Sequence, residues 1–231
     1  MSDRSEIMVI TAHPDDAEFG SAGSVAKWTR EGRRVVYVVC TNGDKGTQDP
    51  DISPQQLANL REKEQKAAAA VLGVSDVVFL RYPDQELEDT PDFRKTIVRQ
   101  IRTYKPEMIV TSDPYRRYIW HRDHRIIGQV TLDAVFPYAR NLPAYPDLIE
   151  EGLMPHNVQK ILFFGAEDVN LRIDITETFD LKLAALRCHE SQMSQLNIPN
   201  LEKMLWERCR KMAEGADFEV AEAFHQVEVP L

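Results

Sequence analysis

Short apolar runs alternate with longer amphipathic stretches through the first half of the chain. The runs are rich in β-branched residues, as in VVYVVC, and are typical of buried strands; they lie at 7–12, 34–40, 76–80 and 107–111. The stretches between them predict helices at 23–30, 55–72 and 93–104. This βαβα order predicts a Rossmann-like, doubly wound α/β fold, with a mostly parallel sheet covered by helices on both faces.

The pattern loosens in the second half of the chain. The elements expected there are a helix, a proline-rich passage, two strands and two helices, at 126–135, 137–155, 158–165, 170–175, 176–189 and 201–214. The sequence contains neither an internal repeat nor a low-complexity linker. One domain spanning residues 1–231, with an elaborated C-terminal third, is therefore expected.

Polar residues gather directly after the first and the fourth predicted strands. The first strand runs into HPDD at 13–16, and the fourth runs into SDPYRRYIWHRDHR, which contains HRDH at 121–124. In a doubly wound sheet the strand order reverses beside strand one, so strands one and four become neighbours whose carboxyl ends border one crevice. The two segments are therefore expected on facing loops.

Histidines and carboxylates crowded into one crevice indicate a bound cation, because the carboxylates otherwise repel one another or take up protons. Taken singly, an Asp-Asp pair after a strand is commonly a turn or a helix cap, and HxDH is commonly an exposed polar segment. Two histidines and one carboxylate leave a fourth position open, as in hydrolytic zinc sites. We expect His13, Asp16 and His124 to bind one zinc ion per chain.

The other polar residues of the two segments are candidates for proton transfer. Asp15 is not used in coordination and is adjacent to the ligands, as a general base requires. His121 is expected to stabilise or protonate a tetrahedral intermediate, with Asp123 setting its tautomer.

Composition limits the partners and the location. The net charge of −9 and the lack of a Lys/Arg stripe argue against nucleic acid or an anionic membrane surface, and favour a small neutral or cationic molecule. No segment approaches the ~20 apolar residues of a membrane span, and no signal-peptide core is present. Cys40, Cys188 and Cys209 are widely spaced and support neither disulfides nor a cysteine zinc site. A cytoplasmic protein without a membrane span is expected.

AHPDDAEFG at 12–20 and HRDH at 121–124 resemble the two metal-binding blocks of the LmbE-like (PIG-L) zinc-dependent de-N-acetylases. Other segments that resemble family blocks are TNGDKGT, LREKE, YPDQEL, SDP and RCHESQ, at 41–47, 60–64, 82–87, 112–114 and 187–192. The resemblance implies that His13, Asp16 and His124 bind zinc, that Asp15 is the base, and that His121 assists the oxyanion or the leaving amine.

The resemblance also implies substrate contacts. Arg61 and Asp84 are expected to bind sugar hydroxyls, although the residues alone favour a solvent salt bridge of Arg61 with Glu64, worth ~0.3 kcal/mol, and a turn at Asp84. Tyr118 and His189 complete the substrate-binding candidates. His189 is expected near a subunit boundary, with a helix C-cap as the alternative, because the family resemblance suggests a homo-oligomer, a hexamer.

The set GDKGT, DPY and HRDHR looks most like the diacetylchitobiose and N-acetylglucosamine deacetylase branch. The expected reaction is hydrolysis of the N-acetyl amide of a GlcNAc-type sugar, giving acetate and a free amine. Arg122 stands where many relatives have proline, and with Arg116 and Arg117 it forms a basic loop that can face a partner subunit, an anionic substrate group or solvent.

Two other classes of function are alternatives. A metal-dependent phosphoesterase would more often need two metals and a richer ligand set. A nucleotide-binding module without chemistry would have a glycine-rich turn after the first strand, where this chain has carboxylates.

Overall fold

The computed structural model describes residues 6–118, 121–194 and 200–230. The strands are β1 (Ile7–Thr11), β2 (Val35–Thr41), β3 (Asp76–Tyr82), β4 (Met108–Ser112), β5 (Lys160–Phe164), β6 (Leu171–Asp174) and β7 (Ala221–Glu228). The α-helices are α1 (Asp16–Arg30), α2 (Pro54–Leu72), α3 (Pro91–Tyr104), α4 (Arg122–Asp133), α5 (Pro146–Glu150), α6 (Phe179–Arg187), α7 (Glu190–Met193) and α8 (Leu201–Met212). Short 3₁₀ or π segments are Ala134–Ala139, Leu142–Ala144 and Thr176–Thr178.

The strands form one sheet in the order β3-β2-β1-β4-β5-β7-β6. Strand β1 pairs in parallel with β2 on one side and with β4 on the other, so the winding reverses at β1. The doubly wound, mostly parallel sheet is confirmed. Strand β7 was not predicted; it runs antiparallel between β5 and β6, and its alternating polar residues hid it from a search for continuous apolar runs.

The central strands of the sheet are buried on both faces, which explains their continuous apolar runs. Successive side chains of a strand point to opposite faces, and Met8 and Ile10 pack in one core cluster while Ile7 and Val9 pack in another. Helices α3 and α4 contribute to the first cluster, and α1, α2 and α6 contribute to the second. The central strands β1, β2 and β4 are buried along their whole length.

Two helices begin a full turn or more earlier than predicted. Helix α1 begins at Asp16 instead of residue 23, because Asp15 turns the chain with a φ of 90° and the carboxylates in the first turn suit a helix N-terminus. Helix α4 begins at Arg122 instead of residue 126, and the His121 ring caps it by accepting a hydrogen bond from the Asp123 N–H. The crevice is therefore lined by the first turns of two helices.

None of the helices in the described ranges has the length and apolar character needed to cross a membrane. Cys40, Cys188 and Cys209 are free thiols.

Helix α4 crosses the end of β4 at Gly128. A Cβ placed on Gly128 would lie 2.4 Å from the Ser112 carbonyl oxygen and 2.9 Å from the Pro114 ring. Because backbone atoms cannot move aside as a flexible side chain can, α4 can approach this closely only with glycine here.

We therefore expect Gly128→Ala to lower the free energy of unfolding by about 1–3 kcal/mol through overpacking, although alanine is the better helix former by about 1 kcal/mol. Urea unfolding measures the change, and Gln129→Ala, one position along the same helix, is the control. A Gly128→Ala protein as stable as the parent would contradict the close packing of α4 on β4.

Candidate active site

The three predicted metal ligands meet at the crevice between β1 and β4. His13 Nδ1 lies 3.2 Å from His124 Nε2 and 3.4 Å from an Asp16 carboxylate oxygen, and the other Asp16 oxygen lies 2.9 Å from His124 Nε2. His13 and Asp16 are each 8% exposed, whereas His124 is half-buried. The cluster therefore has one buried side and one side open to solvent.

The donor set fits a divalent metal. Ligand atoms about 2.0–2.1 Å from a tetrahedral zinc ion lie roughly 3.3 Å from one another, which agrees with the 2.9–3.4 Å separations here. Two ring nitrogens at 3.2 Å cannot both carry a proton between them, whereas a shared cation satisfies both. His121 adds a further nitrogen, since it offers a donor atom within 4.8 Å of those of His13 and His124.

The other nitrogen of His13 is held by two carboxylates. His13 Nε2 lies 2.9 Å from Asp84 Oδ1 and 3.3 Å from Asp123 Oδ2, and both acids are buried. Burial by itself would lower the pKa of His13, but its contacts with Asp123, Asp16 and Asp84 raise that pKa well above the usual value. Carboxylates on the far side of a ligating imidazole fix its tautomer and orientation.

Asp84 and Asp123 therefore do not occupy the positions that their expected roles require. Asp84 is 3% exposed and lies on His13 instead of facing a sugar. The Asp123 carboxylate accepts hydrogen bonds from the backbone N–H groups of Gln85 and Leu87 at 2.7 and 3.3 Å. The tautomer of His121 is set by the Asp123 backbone, whose N–H is 3.2 Å from His121 Nδ1.

Two side chains of α2 hold Asp15 in place. Its backbone N–H donates to Gln65 Oε1 at 3.0 Å, and Arg61 Nη2 lies 3.4 Å from its carboxylate. Burial raises the pKa of the Asp15 carboxyl to about 6, with Asp16 acting in the same direction and Arg61 opposing both. Asp16, in contact with His124, has a pKa well below its usual value in spite of burial.

Arg61 is buried under the HPDD turn and does not reach the surface. It is 4% exposed and donates to the backbone carbonyls of Pro14 and Gly43 at 2.6 and 3.0 Å. Arg61 therefore does not lie where the expected sugar contact would place it. It also does not lie where an exposed salt bridge with Glu64 would place it. Glu64 instead accepts hydrogen bonds from the backbone and hydroxyl of Ser191.

A buried polar chain extends from Asp15 to His189. Gln65 donates to Glu18 Oε1 at 3.0 Å, and Glu18 Oε2 lies 3.2 Å from His189 Nε2. Glu18 and His189 are both 0% exposed, so His189 lies inside the subunit and not at its surface. Glu18 and Gln65 were not among the residues predicted from the sequence. The spacing of Gln65, four residues after Arg61 on the same helix face, is a signal that would have found it.

A buried ion pair forms hydrogen bonds with the backbone of α1. Lys182 Nζ donates to Glu222 at 2.6 Å and to the carbonyls of Glu18 and Phe19, while Glu222 accepts from the N–H groups of Gly23 and Ser24. In a regular α-helix the Gly23 N–H donates to the Phe19 carbonyl. Lys182 and Glu222 therefore bind the two groups that would form one helical hydrogen bond. We call this pair the α1 clasp; sequence patterns did not predict it.

The basic loop lies beside the open side of the cluster. Tyr118 is 93% exposed, Arg117 pairs with Glu167, and Arg122 donates to the Leu87 carbonyl. The neighbouring residues 119–120 lie outside the described ranges. A cavity of about 250 Å³ borders Asp16, His124 and Arg116, which gives the cluster room for a ligand.

Comparison with known proteins identifies the family. Residues 8–135 match the PIG-L family, described as GlcNAc-PI de-N-acetylase. The chain is also 38% identical over 196 residues to the diacetylchitobiose deacetylase of Thermococcus kodakarensis, covering 84% of this chain and 72% of that one. The chain belongs to the PIG-L family.

Other PIG-L relatives agree with this assignment. The chain is 26% identical over 205 residues to a probable N-acetyl-alpha-D-glucosaminyl L-malate deacetylase 2 of Bacillus anthracis, covering 84% of each. The structure of N,N'-diacetylchitobiose deacetylase from Pyrococcus horikoshii matches with a TM-score of 0.90 at 30% identity, covering 98% of this chain and 85% of that one. The chain is a hydrolytic de-N-acetylase, and neither the phosphoesterase nor the nucleotide-binding alternative is supported.

We expect His189→Ala to lower the free energy of unfolding by about 1–3 kcal/mol, because it leaves the buried Glu18 carboxylate without this partner. The oligomer size should not change, since the side chain lies inside the subunit. Urea unfolding and light scattering measure the two properties, with Cys188→Ala as the neighbouring control. A smaller oligomer of unchanged monomer stability would instead support the subunit-boundary role.

Proposed function

We propose that this PIG-L protein binds one zinc ion through His13, Asp16 and His124 and removes the acetyl group from the nitrogen of a GlcNAc-type sugar. The observation that carries the proposal is the meeting of these three donors, 2.9–3.4 Å apart, at the switch point of the sheet. The deacetylase relatives support the substrate class.

Zinc bound there would supply Lewis-acid chemistry, polarising the acetyl carbonyl and making a water molecule more acidic. Asp15 lies next to Asp16, and Arg61 and Gln65 fix its position. We assign to the Asp15 carboxylate the removal of a proton from the attacking water. The water oxygen bonds to the acyl carbon, the carbon–nitrogen bond breaks, and the proton passes to the leaving amine.

His121 is assigned to the oxyanion. Its Nδ1 accepts a hydrogen bond from the Asp123 N–H, so a neutral ring carries its proton on Nε2 and can donate it to the substrate. The ring centroid of His121 lies 4.7 Å from that of His13. Asp84 and Asp123 act through His13, and Arg61 acts through Asp15, as positioning residues. Tyr118 stays a predicted substrate contact.

Assembly and location belong to the same proposal. The hexamer that the resemblance implies stays a prediction, and light scattering tests it. A cytoplasmic location stays a prediction that fits the three free thiols.

The reaction is tested with a panel of N-acetylated sugars: N-acetylglucosamine, N,N'-diacetylchitobiose and a GlcNAc glycoside. We expect acetate release from at least one of them, loss of that activity after treatment with a chelator, and recovery when zinc is added back. Metal analysis should give one zinc per chain. Acetate release that persists in metal-free protein would disprove the zinc mechanism, and two metals per chain would favour a binuclear site.

Variants of the two adjacent aspartates separate coordination from proton transfer. Asp16→Ala should lose zinc and, with it, activity. Asp15→Asn should keep near-normal zinc while kcat falls by about 10²–10⁴, the usual contribution of a positioned general base. Metal content and turnover are measured on both proteins. If Asp15→Asn emptied the site while Asp16→Ala kept its zinc, the two roles would be reversed.

A further inference from the structure

The cavity beside the metal-ligand cluster extends away from it into the protein. It begins at Asp16 and His124 and has a volume of about 250 Å³. Helices α1 and α8, the end of β5 and the start of β7 line it. A group attached to the scissile carbonyl can therefore continue from the reacting centre into this space.

The walls of the cavity are mainly apolar. Helix α8 contributes Leu205, Cys209 and Met212, which recur at the spacing of one helix face. Phe19 and Phe164 contribute from α1 and β5. The Phe164 ring lies so close to α1 that a Cβ on Gly20 would come within 2.6 Å of it, so this wall is closely packed.

The charged groups of the cavity do not suit a sugar in its interior. Lys182 and Glu222 are bonded to each other and to the backbone of α1 in the α1 clasp. Arg116 and Arg208 are exposed side chains. Sugar hydroxyls need hydrogen-bond partners when they leave water, whereas a hydrocarbon chain is stabilised by walls of this kind.

We infer that the cavity receives the acyl group of the scissile amide, and that the enzyme hydrolyses N-acyl amino sugars whose linear acyl chains are longer than acetyl. The inference rests on the proposed function, because it needs the carbonyl carbon at the His13–Asp16–His124 cluster. The sugar then lies on the open side, toward the exposed His121.

The first experiment compares glucosamine release from N-acetyl-, N-propionyl-, N-butyryl- and N-hexanoyl-glucosamine by the intact zinc enzyme. We expect kcat/KM for the butyryl substrate to stay within about tenfold of the acetyl value, since each accommodated methylene is favourable in an apolar pocket. A fall of about a hundredfold or more at propionyl or butyryl would overturn the inference. No release from these substrates and none from the panel of N-acetylated sugars above would instead refute the proposed function.

The second experiment changes the cavity at Met212, which is half-buried at the end of α8. Met212→Trp should fill the space and lower the hexanoyl-to-acetyl ratio of kcat/KM by about tenfold, and Met212→Ala should raise that ratio. Met204→Trp is the matched control, because Met204 is an exposed methionine on the same helix. Thermal unfolding of each variant verifies that it folds.

The same variants distinguish an acyl group from a second sugar. If the cavity held a second sugar unit, Met212→Trp would lower the ratio of kcat/KM for N,N'-diacetylchitobiose to that for N-acetylglucosamine, and the acyl-chain ratio would not change. That result, or equal acyl-chain ratios in Met212→Trp and Met204→Trp, would overturn the inference.

Discussion

The parallel pairing of β1 with β4 is the constraint on which the site depends. Because the two strands are neighbours and run in the same direction, both leave the sheet at the same edge. The chain after β1 carries His13 and Asp16, and the chain after β4 carries His124, so residues more than a hundred positions apart come within 3.2 Å of each other. A helix follows each of the two strands, and its N-terminal dipole favours the carboxylates in its first turn.

The buried acids beside His13 are compatible with a folded protein because each has a cationic or N–H partner. Asp123 receives two backbone N–H groups and the His13 ring, and Asp84 receives His13 and the Lys45 backbone. Against the effect of burial, these partners lower the pKa of both acids. Asp16 has two histidines, and a metal ion shared by all three would replace the protons that these rings otherwise hold. These carboxylates are costly to bury, but they also make the centre selective for a cation.

The sequence was sufficient to predict the part of the site that is contiguous with the strand ends. His13, Asp16 and His124 follow apolar runs, and the winding rule alone places them together. It was not sufficient for residues whose partners lie on other elements: Arg61 bonds to a turn 47 positions away and His189 to a helix 171 positions away. Amphipathic periodicity reports which face of a helix is buried but not what that face contacts. The expected substrate contact of Arg61 and the boundary position of His189 therefore came from the family resemblance alone. Strand β7 escaped prediction because it lacks a continuous apolar run.

Helix α1 couples the reacting centre to the acyl cavity. Asp16 stands in its first turn, Phe19 and Gly20 form part of the cavity wall, and the α1 clasp fixes the helix immediately beyond them. A buried ion pair of this kind contributes little net stability over an apolar replacement, but the loss of one partner leaves a buried charge and costs about 3–5 kcal/mol. Its value here is therefore positional: it determines where α1 lies, and thereby both the direction of Asp16 and the width of the cavity. Changes in the clasp should affect metal binding and acyl preference together, whereas changes on α8 should affect acyl preference alone.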